Sequence, residues 1–389
     1  MSREARNAPW SIGRAAQTVT LSPSTLTLDA GDTATITASW LGDGVLSAVS
    51  SNTSIATVSV SGSTITVTGV AEGTASITAS VSAGTNYLAG NATASVAVSA
   101  YSPVINNYLR FSSASPFTIS VANSTKNWNG TLYSRSGSGD WAEWDGSTTL
   151  SSSNGTIDFA GSGNTRLGSN NENVRLVISG SNVSCVGNIE SLLDYETVAA
   201  GGHPTTGRYC YANLFRECTA LISAPTLPAT TLDVLSYANM FYGCTSLTQA
   251  PALPATNLAD SCYQGMFTFC SALADPPALP ATTLAAQCYN GMFSNCTSLT
   301  KLPQLPATTL ASGCYMNMFN MCGNIKLSTT QDGVYQYSFR IPTSGTGTTA
   351  SGALSYMFEG TSGTFTGTPK INTTYYTDHK PVSYFLPLT

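Results

Sequence analysis

Alternation of apolar residues with Ser and Thr dominates the first hundred positions. Seven segments between residues 17 and 100 show this pattern: TVTLS, TLTL, TATITAS, ATVSV, TITVTG, TASITAS and ASVAVS. A period of two is typical of half-buried β-strands. Gly31 and Gly73 stand in turn signals between the segments. Seven short strands in about 85 residues predict an immunoglobulin-like sandwich.

Residues 101–200 contain further strand signals, separated by segments rich in Ser, Gly and Asn. LRFSS, FTISV, GTLYS, GTIDF and NVRLVIS predict a second β-rich domain. Residues 187–206 then lead into a repeat array. We expect this segment to cap the array, because the terminal unit of an array has to cover an exposed apolar end.

Residues 210–325 repeat with a period of 26. The segment CYQGMFTFCSALADPPALPATTL begins at Cys262, and CYNGMFSNCTSLTKLPQLPATTL follows at Cys288. One phenylalanine recurs in every copy, at Phe215, Phe241, Phe267, Phe293 and Phe319. A fixed period of about 20–29 residues is typical of leucine-rich-repeat solenoids, whose coils bury their apolar faces by stacking.

The spacing inside one copy predicts its elements. Leu284, Cys288, Met292 and Cys296 lie four residues apart, which indicates a short helix. Residues 246–250 indicate a short strand, and the Pro-x-Leu-Pro that follows ends it. The expected fold class is therefore a mainly β multidomain protein. It has an Ig-like β-sandwich, a second β-rich domain, and a leucine-rich-repeat solenoid with a short helix and a short strand per coil and a parallel sheet.

Two of these regions resemble known families. The motif CYxxMFxxCTSLT, followed by LPATTL, resembles the BspA-type leucine-rich repeats of gut and oral bacteria and of their phages. The segments SSNTSIATVSVSG, from Ser50, and GVAEGTASITA, from Gly69, resemble the bacterial group 2 Ig-like family. The first resemblance implies a surface recognition module, and the second implies a stalk or spacer. Neither implies an enzyme.

These observations divide the chain into five expected segments. They are an N-terminal docking arm at 1–16, an Ig-like domain at 17–100, a β-rich domain with the cap at 101–200, the solenoid at 201–325, and a degenerate repeat with a C-terminal cap at 326–389. The last segment is assigned as a degenerate repeat because Phe358 lies 39 residues after Phe319, which is one period plus an insertion of 13 residues.

Composition narrows the function classes. Charged residues make up 9% of the 389 residues, against about 25% in typical soluble domains, so uncharged polar side chains have to cover the surface. The net charge of −5 argues against a nucleic-acid partner. The sequence contains no run of about 18 apolar residues, so membrane insertion is not expected. The first residues lack the apolar core of a secretory signal, so either a signal has been removed or the protein leaves its cell by another route, such as release with a virus particle.

Nine of the ten cysteines fall into two repeat columns. One column is Cys218, Cys244, Cys270, Cys296 and Cys322, and the other is Cys210, Ser236, Cys262, Cys288 and Cys314. No pair has C-x-x-C spacing and both histidines lie outside the repeats, so neither a metal nor another cofactor is expected. Disulfides are the alternative, but a five-member column leaves one thiol unpaired. We expect buried, reduced thiols.

Positions that vary within the strict repeat are expected to face solvent and to contact a host surface glycan or protein. These candidate binding residues are Arg216, Tyr242, Gln249, Asp275, Lys301 and Gln304. The alternative is that they only keep the surface soluble. The candidate anchor to a capsid or tail protein consists of Arg3, Arg6, Trp10 and Arg14, because Arg and Trp are favoured in binding hot spots. The alternative there is a frayed terminus.

The favoured interpretation is a non-enzymatic virion surface protein, a decoration, head fibre or tail fibre of a phage of gut bacteria. A bacterial cell-surface adhesin is the alternative, and self-association into a homo-oligomer stays open. A polysaccharide-degrading enzyme is a third interpretation, based on the segment DWAEWDG at residues 140–146, in which rings would stack on sugar beside two carboxylates. The simpler interpretation of that segment is a hairpin with Trp144 packed inward and a turn at Asp145-Gly146.

Overall fold

The computed structural model describes residues 13–99, 105–122, 126, 128–152, 155–169, 171 and 175–383. The chain divides into two compact units, residues 1–103 and residues 104–389. Strands and turns form most of both units. The helices that lie wholly within the described residues are α1 (Tyr195–Ala199) and the 3-10 helix Ile189–Leu192.

The first unit is a sandwich of two four-stranded sheets. Its strands are β1 (Thr20–Ser22), β2 (Thr25–Asp29), β3 (Thr33–Ser39), β4 (Leu46–Ser50), β5 (Ala56–Ser61), β6 (Thr64–Gly69), β7 (Gly73–Val81) and β8 (Gly90–Ser99). One sheet has the order β1-β3-β6-β5 and the other β2-β8-β7-β4, with β2 and β8 parallel. Ile36, Ile65, Ile77 and Val96, drawn from both sheets, are fully buried in one core. The predicted Ig-like sandwich is confirmed.

The second unit begins with two more sheets. Their strands are β9 (Leu109–Ser112), β10 (Thr118–Val121), β11 (Thr131–Ser136), β12 (Ala142–Glu143), β13 (Leu150–Ser151), β14 (Thr156–Ser162), β15 (Leu176–Ser179), β16 (Val183–Val186) and β17 (Leu221–Ser223). The orders are β12-β11-β14-β9-β16-β17 and β13-β10-β15. All five predicted strand segments of this region contain a strand. Because β17 lies in the first repeat and pairs in parallel with β16, the larger sheet is continuous with the repeat array.

The repeat array is not a leucine-rich-repeat solenoid, and that part of the predicted fold class is wrong. Residues 224–325, all of them described, contain neither a helix nor a strand. The helix expected between Leu284 and Cys296 is absent, as is the strand expected at 246–250. Each repeat is instead a series of turns, joined to its neighbours by backbone hydrogen bonds and isolated bridges such as Thr231 to Asn257.

Left-handed residues at every fourth position explain why no helix forms. Ser261, Gly265 and Phe269 have φ values of 56°, 61° and 62°, so each interrupts the right-handed backbone that a helix would have to continue. Backbone N–H groups then alternate between two kinds of acceptor. Met266 N donates three residues back to Tyr263 O at 3.2 Å, whereas Phe267 N donates to Met292 O of the next repeat at 2.9 Å. Turns of four residues therefore produce the apolar spacing of four.

Side chains of successive repeats align in buried columns. The phenylalanine rings are stacked with centroids 5.5–5.7 Å apart, in the order Phe215, Phe241, Phe267, Phe293, Phe319 and Phe358. A parallel tyrosine column is formed by Tyr211, Tyr237, Tyr263, Tyr289 and Tyr315. Each ring covers the apolar face of the next, and both columns are therefore at most 2% exposed.

Both ends of the phenylalanine column are closed by rings that meet it edge-on. Phe111 of β9 lies 6.0 Å from Phe215, and Phe339 lies 5.8 Å from Phe358. Phe339 belongs to a C-terminal sheet of order β19-β21-β18-β20. Its strands are β18 (Lys326–Ser328), β19 (Tyr337–Arg340), β20 (Ser362–Gly363) and β21 (Thr374–Thr377).

Candidate recognition surface

A column of corner residues, one directly before each cysteine of the first cysteine column, belongs to the left-handed positions of the repeats. The corner residues are Glu217, Gly243, Phe269, Asn295 and Met321, and their φ values lie between 60° and 70°. Gly adopts this conformation freely, but a bulky side chain pays roughly 1–2 kcal/mol. Phe269 and Met321 are nevertheless 42% and 52% exposed. Strained residues that gain little burial in return point to a functional surface.

Phe269 belongs to a group of three side chains, Arg216, Tyr242 and Phe269, which we call the aromatic patch. The guanidinium carbon of Arg216 lies 3.9 Å from the centroid of the Tyr242 ring. The Tyr242 ring meets Phe269 edge-on, with centroids 5.4 Å apart. Two predicted binding residues are thus adjacent in space, and a third residue that the sequence analysis did not select completes the patch.

One carboxylate, that of Glu217, lies beside the arginine of the aromatic patch. Glu217 lies 3.6 Å from Arg216 and also 2.6 Å from Arg175. The Arg216 side chain is only 12% exposed, so it is largely covered and does not project into solvent as the sequence analysis expected. Tyr242 and Phe269 therefore provide the accessible part of the patch, while Arg216 supports the tyrosine ring through a cation–π contact.

The aromatic patch ends in the next repeat. Thr268, the equivalent of Arg216 and Tyr242, is 9% exposed and donates its hydroxyl to Gly291 O at 2.7 Å. Variability within the repeat therefore does not by itself mark a solvent-facing position. At Thr268 a small polar side chain packs against the following repeat.

The remaining predicted binding residues lie in other columns. Lys301 Nζ is 2.9 Å from the Asp275 carboxylate, across one period of the repeat, and both side chains are partly exposed. An exposed pair of this kind contributes about 0–1 kcal/mol. Gln249, one period before Asp275, is exposed. Gln304 is half-buried, and its backbone N–H donates to Val382 O at 2.8 Å.

Shallow apolar grooves separate the Pro-x-Leu-Pro segments of successive repeats. One groove of about 320 Å³ is lined by Ala250, Pro251, Ala252, Leu253, Pro254, Pro277 and Ala278. A second, of about 210 Å³, lies one repeat earlier and shares Pro251, Ala252 and Pro254. These linings offer few hydrogen-bonding groups, so the grooves provide little orientation for a polar ligand.

All ten cysteines are free and buried, so the predicted burial of the thiols is confirmed. Burial raises the pKa of Cys270 and of Cys322 to about 12, and these thiols are therefore neutral at ordinary pH. Neutral thiols are poor nucleophiles and poor metal ligands. The part of the chain that the structure describes holds no group of three side chains suited to a metal ion.

The DWAEWDG segment does not form the predicted hairpin, because β12 pairs with β11 and β13 pairs with β10. The chain still turns after Trp144, and the tryptophan rings pack inward. Trp141 is 6% exposed and Trp144 is 3% exposed, and Trp144 stacks on Trp128 with centroids 5.6 Å apart. Gly146 has φ +82°, as the turn requires. The Asp145 carboxylate accepts hydrogen bonds from the hydroxyl and the backbone N–H of Ser147, which lower the pKa of Asp145. Neither buried tryptophan can stack on a sugar.

The candidate anchor lies mostly outside the described residues, which begin at Gly13. Arg3, Arg6 and Trp10 belong to the part that the structure does not describe, whereas Arg14 is exposed. The neighbouring Ala15 N donates to Asn86 O at 2.9 Å and thus belongs to the first unit. Within the described ranges, no helix has the length and hydrophobicity needed to cross a membrane.

Comparison with known proteins supports the first unit. Residues 15–92 match the family model of the bacterial Ig-like domain, group 2. Domains 5–6 of the S-layer protein SbsC are similar to this chain, with 16% identity and a TM-score of 0.19, over 36% of this chain and 94% of theirs. No curated protein matches the chain. The family match does not extend to the repeats, so their resemblance to BspA-type leucine-rich repeats has no support.

Proposed function

We propose that this protein is a non-enzymatic surface attachment protein whose aromatic patch binds a neutral glycan of a bacterial envelope. The exposed, left-handed Phe269 beside Tyr242 is the observation that supports this function most strongly. A corner position that accepts Gly243 and Asn295 has no structural need for a phenylalanine. The exposed phenylalanine at this corner is therefore attributed to ligand contact.

The chemistry of the aromatic patch suits a sugar. Aromatic rings are amphipathic contact surfaces that lose little conformational entropy on binding, and the Tyr242 hydroxyl adds one hydrogen-bonding group. Two neighbouring rings can cover the apolar faces of two adjoining sugar units. Because only 9% of the residues are charged, a neutral ligand is preferred over a strongly anionic one.

The proposed location is outside a cell. The match of residues 15–92 to the group 2 bacterial Ig-like domain supports a surface or extracellular protein, with this domain as a spacer. As the finer proposal, we place the protein on a virion, where the basic residues Arg3 and Arg6 would dock on a capsid or tail protein. Immunogold labelling of purified particles and of bacterial cells separates a virion protein from a bacterial adhesin.

Binding to a glycan array tests the function, with two variants that differ in their effect on strain. Tyr242→Ala removes the central ring, and Phe269→Gly removes the exposed ring while restoring a residue that fits the left-handed corner. We expect each variant to lose at least tenfold in affinity. Phe269→Gly should keep or raise the melting temperature, because relief of strain offsets the lost contact with Tyr242.

Asn295→Gly is the matched control, since it changes the same corner one repeat further on and leaves the aromatic patch intact. It should bind as the unchanged protein does. Equal array profiles for the unchanged protein and both patch variants, or no glycan bound by any of them, would reject the aromatic patch as the binding surface.

A further inference from the structure

A second concave site lies where the cap meets the first complete repeats. This cleft has a volume of about 390 Å³. Its lining consists of Glu190, His203, Pro204, Thr205, Thr206, Ala229, Thr230 and Thr231. None of these residues belongs to the aromatic patch, and none was selected from the sequence as a binding residue.

The sequence departs from its own repeat at this cleft. One repeat position is alanine in four successive copies, at Ala229, Ala255, Ala281 and Ala307. One period before Ala229, the same position is His203. The last three alanines are at most 1% exposed, whereas the His203 side chain is 64% exposed. His203 therefore does not replace the alanine as a packing residue.

His203 faces a buried carboxylate. Nδ1 of His203 lies 2.8 Å from Oε2 of Glu190, whose side chain is 3% exposed. Glu190 is held in the 3-10 helix, where its backbone N–H donates to Asn188 Oδ1 at 2.9 Å. Removing a carboxylate from water is costly unless it is paired. The residues between Glu190 and His203, which include α1, carry the chain around so that the two side chains meet.

This contact leaves the other ring nitrogen of His203 at the exposed edge of the imidazole. In the tautomer whose Nδ1–H donates to the Glu190 carboxylate, Nε2 is an acceptor. The exposed hydroxyls of Thr205 and Thr230 can donate or accept. The Thr206 hydroxyl is already used, because it donates to Asp233 at 2.7 Å. Two carboxylates at this end of the repeats disfavour an anion.

We propose that this cleft is a subsite for one neutral sugar unit, in which His203 Nε2 accepts a hydrogen bond from a sugar hydroxyl. Glu190 is a positioning residue that orients the imidazole, and the threonine hydroxyls contact further hydroxyls. The inference rests on the proposed glycan-binding function and gives it a second contact, distinct from the aromatic patch.

Histidine NMR tests the subsite directly, because the chain contains only two histidines. Protein labelled with ¹⁵N-histidine is titrated with glucose, galactose, N-acetylglucosamine, N-acetylgalactosamine and glucuronic acid. We expect at least one neutral sugar to shift His203 Nε2, and glucuronic acid to bind at least tenfold more weakly. His379 is the internal control, since it also pairs with a carboxylate, Asp378 at 2.9 Å, but lies outside the cleft. Its signals should not move.

Two variants complete the test by calorimetry with the sugar that binds. His203→Ala restores the alanine of the other repeats, and Glu190→Gln removes the charge while keeping the shape. Each should weaken binding at least tenfold. The titration of the unchanged protein decides the matter even where a variant fails to fold.

Two results would overturn the subsite. They are a His203 signal that no sugar shifts, or equal shifts at both histidines. If Tyr242→Ala loses binding on the glycan array while no sugar shifts the His203 signal, the subsite is rejected and the proposed function stands. If a sugar shifts His203 while the patch variants bind as before, the patch fails and the subsite stands.

Discussion

At the scale of single residues, the cysteines act as hydrogen-bond donors within the core. Phe241 O accepts two hydrogen bonds, one from Cys244 N and one from Cys270 Sγ of the next repeat, both at 3.1 Å. The same hydrogen bond from a thiol to a backbone carbonyl recurs from Cys244 Sγ to Phe215 O and from Cys296 Sγ to Phe267 O. A carbonyl oxygen has two lone pairs, and the thiol hydrogen bond uses the second one.

Cys270→Ala should reduce the free energy of unfolding by about 1–3 kcal/mol, because it removes a buried donor and leaves a small cavity. The control is Cys262→Ser, since Ser236 occupies the same column and donates to Asp233 O at 2.7 Å. That variant should lose less than about 1 kcal/mol. Urea unfolding measures both, and equal losses would show that the Cys270 thiol is only a filler.

Alkaline pH should destabilise the repeats through their thiols. Burial raises the pKa of Cys270 above the ordinary value of 9.0 to about 12. Below about pH 8 the thiol is protonated in both states, so its stabilising effect is complete. Above pH 9.0 the unfolded chain releases a proton that the folded chain keeps, and stability falls by up to about 1.4 kcal/mol per pH unit and thiol.

Calorimetry at pH 7, 9 and 10 in the presence of a reductant measures this loss. The melting temperature of the repeats should change little up to pH 8 and fall steeply above pH 9.0. The first unit is the internal control, because no cysteine precedes Cys185. A melting temperature of the repeats that is constant to pH 10 would contradict the burial of neutral thiols.

At the scale of elements, the repeat length and its buried columns could be predicted from the sequence, but the backbone between them could not. An apolar spacing of four fits a helix and also fits four-residue turns. The left-handed positions were hidden because bulky residues such as Phe269 and Leu235 occupy some of them. The available signal was Gly or Asn at intervals of four, as at Asn239 and Gly243. A search of the sequence for helical periodicity alone does not detect that signal.

Two other differences have the same origin, namely apolar residues on the outside. The sequence analysis missed β4 because Val49 is 63% exposed and the preceding Val45 is 73% exposed. These exposed apolar residues blur the alternation of apolar and polar positions. Phe269 was missed because a phenylalanine in a repeat is expected in the core. Patterns of apolar and polar residues predict burial, and they fail where an apolar side chain is exposed.

The phenylalanine column should be equally sensitive at its end and at its centre. Phe267 is fully buried between Phe241 and Phe293, and Phe215 is fully buried between Phe111 and Phe241. Substituting either by alanine should cost about 3–5 kcal/mol, because the stacked neighbours cannot collapse into the cavity. Chemical denaturation measures the loss.

Phe269→Ala is the control for that series, because it changes the same residue type two positions from Phe267 at an exposed site. Its effect should stay within about 0.5 kcal/mol. A much smaller loss at Phe215 than at Phe267 would mean that Phe111 does not close the column.

At the scale of the whole molecule, the chain has an Ig-like first unit and a second unit that contains the array of repeats, whose phenylalanine column is covered at both ends. The aromatic patch and the cleft both lie in the second unit, on residues 190–269. Residues 1–12 and 100–103 of the first unit lie outside the described residues. Under the proposed function, the basic residues Arg3 and Arg6 attach the protein to the particle, and recognition belongs to the second unit.

Removal of residues 1–12 should abolish attachment to the particle and leave the fold intact. The cut has to precede Ala15, because Ala15 N donates to Asn86 O at 2.9 Å and Leu88 N donates to Ala15 O at 2.8 Å. A cut beyond Ala15 would lose those bonds and confuse a folding defect with a binding defect. The shortened protein should therefore melt at an unchanged temperature and still bind its glycan. When the shortened protein is mixed with particles that lack the full protein, sedimentation should leave the shortened protein in the supernatant.

Trp10→Ala in the full chain is the finer test, since one aromatic anchor typically dominates a small docking interface. Sedimentation of the shortened protein with the particles, at the level of the full chain, would place the anchor elsewhere.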